Sequence, residues 1–392
     1  MLSIYKITKI FSSKLSAFLY HSKRLFKMVN SYLFSIVFTL RIFFSHIIFK
    51  KKVAIGAIFN LKGGVANHIL SFIHYSSIPI NTVPNVRKKN NFRNGEEIKL
   101  FQNLCDKYSL ISNNILHSHA DTWFINYCAM QQKVNNVKWV HTYHSFYRED
   151  SFGTLLNWQK DMNSALFSVA KNADVKITVS KWLQKYLKTK YNISTTYIPN
   201  GVDFNKCQRA NAQRFTKLYQ VTDFILFTSG YSYVKNPTEF VKLARLMESE
   251  CFVMIGSPNM LNALKEEFGE LPRNLKVIND YLSHDLVLDA LAASKAFIIT
   301  SRLEGLPTAL MEAMALAKPV VASNIEGCSE LLVNGKFGYL YKLGNLEDLK
   351  LKTELALKDY SIGLRAQEHI NLNYDWKVIA PQIDNIYKDL IK

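Results

Sequence analysis

The sequence predicts two doubly wound α/β halves joined in series, and three observations lead there. Short aliphatic and β-branched runs recur from Val53 onward with helical patterns between them, the alternation that builds a parallel sheet covered on both faces. The alternation restarts near Phe224, after the turn-rich stretch Pro199-Asn200-Gly201-Val202-Asp203. The 392 residues are enough for two such units and an extension. The expected division is residues 1–52 as a basic arm, 53–204 as the first Rossmann-like half and 205–377 as the second. A last helix, 378–392, is expected to return to the first half.

The arm stands apart by charge. The chain has a net charge of +18, yet no Asp or Glu precedes Glu96, and residues 1–95 hold 15 of the 49 Lys and Arg. The other 297 residues hold 34 Lys and Arg against 31 Asp and Glu, so they are only +3. A nucleic-acid binder would need cations on the globular body, and this pattern excludes it. In the arm the cations alternate with Phe, Leu, Ile and Tyr, which suits an anionic membrane surface. Ile7, Phe11, Leu15, Phe18, Leu25 and Val29 recur at helical spacing, with Lys6, Lys9, Lys23, Arg24 and Lys27 off that stripe and Lys14 on it. The apolar run 29–49 is just long enough to span a bilayer core, but Arg41 lies inside it and costs at least ~2.5 kcal/mol there. An interfacial helix is expected, the alternative being an extra helix packed on the protein's own core. No signal-peptide cleavage pattern precedes the first strand.

Residues 53–59 read as a buried parallel strand, followed by a turn containing Gly63 and Gly64 and a helix to Tyr75. Further strands are expected at 115–117, 137–140 and 175–179, with Ser180 as N-cap of a helix over 181–189. The second half continues with strands at 224–228, 251–255, 275–278, 296–299 and 319–322. Two such halves place a ligand cleft at the carboxyl ends of their strands. The five cysteines form no CxxC pair and are an odd number, so they read as small buried hydrophobes in a reducing compartment.

The segment Thr300-Ser-Arg-Leu-Glu-Gly-Leu-Pro-Thr-Ala-Leu-Met-Glu312 concentrates the chemistry. A strand ends at Thr300, and Pro307 suits the first position of a helix because its missing N–H is not needed there. Gly305 allows close backbone approach, and a helix start aimed into a cleft binds anions through its free amides and dipole. Gly305, Leu306, Pro307 and Thr308 would then cradle a diphosphate. Glu304 can face the cleft, and Glu312 in the second turn can accept two hydrogen bonds from a ribose diol. Gly63-Gly64 sits between a strand and a helix where its amides could hold phosphate, but it lacks the Gly-Lys-Ser/Thr of a Walker loop.

This segment resembles the Glu-x7-Glu signature of glycosyltransferase family 4, whose members are retaining enzymes of the GT-B fold. The likeness runs on through Ala313 to Ser323, then Gly327, Glu330 and Gly335-Lys336-Phe337-Gly338, and includes Pro199 to Asp203. It implies that Thr142-x-His144 supplies the donor-sugar histidine and that Lys235 contacts the diphosphate. Tyr231 stands where the family has an arginine. By the same resemblance, Glu304 orients the sugar, and transfer from a nucleoside-diphosphate sugar to a glycan or lipid-linked acceptor proceeds with retention by front-side attack. No cofactor and no obligate metal are expected. His117-x-His119 has no third ligand in view and reads as packing and cleft lining. The expected enzyme is cytoplasmic, peripheral on the inner face of the cytoplasmic membrane, and serves cell-envelope polysaccharide synthesis. The competing reading is a catalytically silent carbohydrate-binding or scaffold protein on the same frame, for which Tyr231 speaks. An epimerase or phosphorylase is disfavoured by the Glu-x7-Glu context.

Overall fold

The computed structural model describes residues 53–56, 64–83 and 114–391. The basic arm, Lys62, Gly63 and Cys105 lie outside the described residues. Two six-stranded sheets organise the rest. In the first, β1 (Val53–Gly56), β2 (Ile80–Val83), β3 (Ile115–Ser118), β4 (Lys138–Tyr143), β5 (Val175–Thr178) and β6 (Thr196–Tyr197) lie in the order β2-β1-β3-β4-β5-β6. In the second, β7 (Phe224–Thr228), β8 (Cys251–Ile255), β9 (Leu275–Ile278), β10 (Ala296–Ile299), β11 (Val320–Ser323) and β12 (Tyr339–Tyr341) lie in the order β12-β11-β10-β7-β8-β9. The described residues form a small compact unit, holding Val53, Ala54, Pro79–Asn81 and Asn114, and a large one holding the others. All residues discussed below as site candidates belong to the large unit.

The core of the second sheet shows why its strands read as unbroken apolar runs. Phe224, Leu226, Val253, Ile255, Phe297 and Ile299 point into one cluster with Leu310, Met311 and Met314. The intervening Ile225, Phe227, Phe252, Met254 and Ile298 point into another with Phe240, Val241 and Leu349. Alternate side chains thus feed opposite faces, and helices cover both, as a parallel sheet requires.

The strand order sets where a ligand can bind. In the second sheet it reverses between β7 and β10, and sheets of this kind bind ligands at the carboxyl ends of the strands where the order reverses. Lys235 lies on the first loop, and Glu304 to Pro307 lie on the second.

Several local expectations shift. β4 runs three residues past its expected end, pairing Thr142 with Ile177 and Tyr143 with Thr178, which leaves His144 directly at its carboxyl end. β2, β6 and β12 were not expected; the first carries Asn81 and Thr82 and the other two span only two or three residues, too little pattern to read. Pro307 is the N-cap, and the helix begins at Thr308, one residue later than expected. Ser180 does sit at the N-cap of the helix Lys181–Tyr191, but its hydroxyl caps nothing. The carboxylate of Glu330 does the capping instead, accepting from the amides of Lys181 and Trp182 at 2.8 and 2.9 Å. Cys128, Cys207 and Cys328 are buried, whereas Cys251 is only half-buried.

The last helix, Trp376–Ile391, packs on the helix Gly64–Tyr75, with Trp376 and Tyr387 against Phe72. Its buried Asp384 accepts from the Ser76 hydroxyl (2.5 Å), the Ser77 amide (2.7 Å) and the Ser77 hydroxyl (2.8 Å). Removing this carboxylate leaves the Ser77 amide and hydroxyl to water and the Ser76 hydroxyl with only its 3.3 Å contact to Ile78 O, each lost bond to a charged group being worth about 1.5–3 kcal/mol. Asp384→Ala is therefore expected to lower unfolding stability by about 3 kcal/mol with an unchanged denaturant slope, measured by urea titration. A change within 0.5 kcal/mol, the ordinary range for a surface substitution, would contradict this.

Candidate active site

The loops after β7 and β10 are stitched together before any ligand arrives. The Thr300 hydroxyl donates to the carbonyls of Lys235 (3.1 Å) and Asn236 (2.8 Å), and the Arg302 amide donates to Val234 O at 2.7 Å. The Arg302 guanidinium lies 4.4 Å from the Tyr233 ring centroid and donates to Asn236. This bracing brings Lys235 Nζ to 2.6 Å from Glu304 Oε1, which also accepts from the Ser301 hydroxyl at 2.7 Å. Glu304 is 11% exposed at its side chain and Lys235 36%, so the carboxylate is sheltered while the ammonium reaches solvent. Tyr231, where the resemblance leads to an arginine, is exposed, and its hydroxyl donates to Glu267.

The Glu304 loop rests against the first half. A Cβ on Gly305 would lie 1.8 Å from the His144 carbonyl oxygen, so only glycine permits this approach. Trp182 Nε1 donates to Gly305 O at 2.7 Å, and Asn200 Nδ2 donates to Leu306 O at 2.8 Å. From the opposite side Gly327 supports the loop; a Cβ there would lie 2.5 Å from Glu304 O. Trp182 was missed in the sequence, since a lone tryptophan on a helix carries no signal of a partner over 100 residues away.

The helix Thr308–Ala315 begins beneath this loop. A Cβ on Gly64, the first residue of its own helix, would lie 3.4 Å from Thr308 Oγ1. Glu312, one turn on, accepts from or shares a proton with His284 Nε2 at 2.8 Å, while His284 Nδ1 lies 3.1 Å from Lys206 Nζ. The Glu312 hydrogen bond raises the His284 pKa above 6.5. His284 and Lys206 were not anticipated; they arrive from 28 and 106 residues earlier with no shared motif. His68, Ser71, Asp203, Thr308, Glu312 and His284 line one pocket.

Behind His144 the first half gathers its buried histidines. His144 Nε2 is 2.8 Å from His119 Nδ1 and the rings stack at 5.1 Å; the His68 ring meets both edge-on, at 4.7 and 5.6 Å. His117 bonds Thr142 at 2.8 Å and also Tyr387, and His141 bonds Ser118 at 2.8 Å. Burial pushes all five imidazoles below the ordinary 6.5, His68 to about 4 and His141 to about 3, with His117, His119 and His144 well below. Asn200 comes near enough to His68 and His144 to oppose that shift, though its Oδ1 meets no donor in hydrogen-bonding geometry.

Comparison with known proteins places this arrangement. The family model described as Glycosyltransferase Family 4 matches residues 63–206, and that described as Glycosyl transferases group 1 matches residues 208–371. The chain belongs to glycosyltransferase family 4. It is 23% identical to the N-acetyl-alpha-D-glucosaminyl L-malate synthase of Bacillus anthracis, over 71% of this chain and 75% of that protein. It is 25% identical to the UDP-Gal:alpha-D-GlcNAc-diphosphoundecaprenol alpha-1,3-galactosyltransferase of Escherichia coli, over 76% and 81%. Its fold is similar to that of Anabaena Alr3699/HepE in complex with UDP and glucose, with a TM-score of 0.68, 17% identity and coverage of 86% of this chain and all of that one. The two Rossmann-like halves form the GT-B fold, and this family 4 member is a nucleotide-sugar glycosyltransferase.

The five depressed histidines make its stability pH-dependent. Each binds its proton in the unfolded chain before it does so in the fold. Unfolding therefore takes up protons below pH 6.5, so this contribution is full above that value and falls as the pH drops. The limiting slope is about 1.4 kcal/mol per pH unit for each histidine still neutral in the fold. His284 acts with the opposite sign, stabilising fully below 6.5 and losing effect as pH rises through its raised pKa, but it is one group against six, since partial burial also lowers His369. Urea unfolding at about pH 7 and about pH 5 should show a large loss at the lower value, and His141→Asn should flatten it by one proton. Equal stability at both values would contradict the neutral assignment.

Proposed function

We propose that this enzyme transfers a hexose, with retention at the anomeric carbon, from a nucleoside-diphosphate sugar to a hydroxyl of a glycan or lipid-linked acceptor in cell-envelope polysaccharide synthesis. The observation that carries the reading is the Lys235–Glu304 pair at 2.6 Å, set at the crevice of the second sheet beside a helix start. The diphosphate takes the amides of Thr308 and its neighbours, with Gly305, Leu306 and Pro307 shaping the loop and the amides of Gly63 and Gly64 as further donors. Glu312 receives the ribose diol. His144 and Glu304 hold the sugar from opposite halves.

In the reaction the bond between the anomeric carbon and the diphosphate oxygen breaks, and a bond from the acceptor oxygen forms on the same face. The acceptor's proton passes to the departing diphosphate. Negative charge grows on that leaving group, and Lys235 and the helix start answer it in place. This chemistry uses no cofactor and needs no metal on the diphosphate. UDP in the Anabaena neighbour and the diphosphoundecaprenol acceptor of the Escherichia coli relative support a uridine donor and a lipid-linked acceptor. One observation favours the silent-scaffold alternative: Tyr231 is tied to Glu267 and supplies no cation. A donor screen reading released nucleoside diphosphate, with and without chelator, decides between them; no release with any donor and acceptor would leave the scaffold.

Because the Lys235 cation matters most when leaving-group charge is largest, Lys235→Ala should lower kcat about a hundredfold while changing donor affinity less. A variant with normal kcat would remove Lys235 from the chemistry.

We assign the arm the role of holding the enzyme on the inner face of the cytoplasmic membrane. Among the described residues no helix is long and apolar enough to cross a membrane. The arm's ten Lys and Arg up to Lys52 support attachment, at about 1 kcal/mol for each cation engaged by an anionic leaflet. Deleting residues 1–50 should abolish sedimentation with anionic vesicles and spare turnover on a soluble acceptor mimic, and salt should release the intact protein in part. Unchanged vesicle binding by the truncated protein would show that the anchor lies elsewhere.

A further inference from the structure

His68, on the helix Gly64–Tyr75, and His119 and His144, just past β3 and β4, present one nitrogen each within 4.8 Å of one another, all buried. Both nitrogens of His68 and the Nε2 of His119 have no hydrogen-bond partner, and neither does the Oδ1 of Asn200 beside them. A buried polar atom left unmatched costs about 1–3 kcal/mol, so several at one place mark a position built to receive something.

We propose that His68, His119 and His144 bind a divalent transition-metal ion of the zinc class. The donor set selects this chemistry. Three imidazoles without a carboxylate suit zinc, cobalt, nickel or copper and disfavour magnesium or calcium, which take oxygen ligands. Three histidines with a further position open are an established zinc arrangement. Each ring can stay neutral by carrying its proton on the nitrogen that does not ligate. Nitrogens on a tetrahedral ion with bonds of about 2.0–2.1 Å stand roughly 3.3 Å apart, so three nitrogens already within 4.8 Å of one another need only a small inward movement of the rings. The supports are in place: His119 stacks on His117, and His117 is itself held by Thr142 and Tyr387.

The ion has a consequence that rests on the proposed donor site. His144 is assigned there to the sugar, so metal and donor sugar draw on one imidazole and exclude each other. The metal then acts as an inhibitor of transfer, distinct from a metal that assists a diphosphate.

The test titrates the full-length, metal-stripped protein with Co2+ and follows the visible absorption of tetrahedral cobalt, then displaces it with Zn2+. The expected result is one Co2+ per chain and a loss of affinity of about a hundredfold or more in both His68→Ala and His119→Gln, each checked for native circular dichroism. Using two variants guards against one failing to fold. Absence of the tetrahedral band in the wild type, or an undiminished band in a folded variant, overturns the site. Adding the nucleoside-diphosphate sugar should bleach the band. A band that persists at saturating donor leaves the metal site standing and removes the sugar from His144.

Discussion

The rest of the structure depends on the absence of a side chain at residue 305. Because Gly305 has no Cβ, its backbone reaches the carbonyl of His144, and two halves built on separate sheets meet at one loop. Trp182 and Asn200 then bind the carbonyls of residues 305 and 306, and Glu330 returns the favour by capping the helix that carries Trp182. Each bond crosses between halves. Together they fix the loop that ends in Glu304 on one side and the helix Thr308–Ala315 on the other.

That constraint explains the electrostatics. Lys235 and Glu304 neutralise each other in a sheltered crevice, so neither charge is left unpaired before substrate arrives. Glu312 is matched by His284 in the same way. On the proposed reading, a diphosphate and a ribose enter by sharing or displacing these partners, Lys235 turning to the diphosphate and Glu312 to the ribose hydroxyls. The buried histidines of the first half follow the opposite rule. They are kept neutral by burial, and they act as packed rings and hydrogen-bond partners rather than as cations.

Much of this was legible in the sequence where the signal is local. The strands from Phe224 to Ile299 are apolar runs, broken only by the exposed Lys276, and each was expected at the residues it occupies. The segment from Thr300 to Glu312 follows directly on a strand end and combines glycine, proline and helix, so its geometry could be read within one residue. What escaped was contributed by distance. His68, His119 and His144 come from three elements spread over 76 residues, and only the sheet order makes His119 a neighbour of the other two. The Glu330 cap replaced Ser180 because a carboxylate from the other half outcompetes a local hydroxyl, and no local pattern reports that. His284 at Glu312 and Asn200 at Leu306 are likewise products of tertiary packing.

The central claim is that the Glu304 loop and the helix after it hold the nucleoside diphosphate. A crystal structure of the full chain with UDP tests it most directly. The diphosphate should lie on the amides at the start of the helix Thr308–Ala315, with Lys235 Nζ turned from Glu304 toward it and the ribose hydroxyls on Glu312 in place of His284. A nucleotide bound elsewhere, with the Lys235–Glu304 and Glu312–His284 pairs intact, would contradict it.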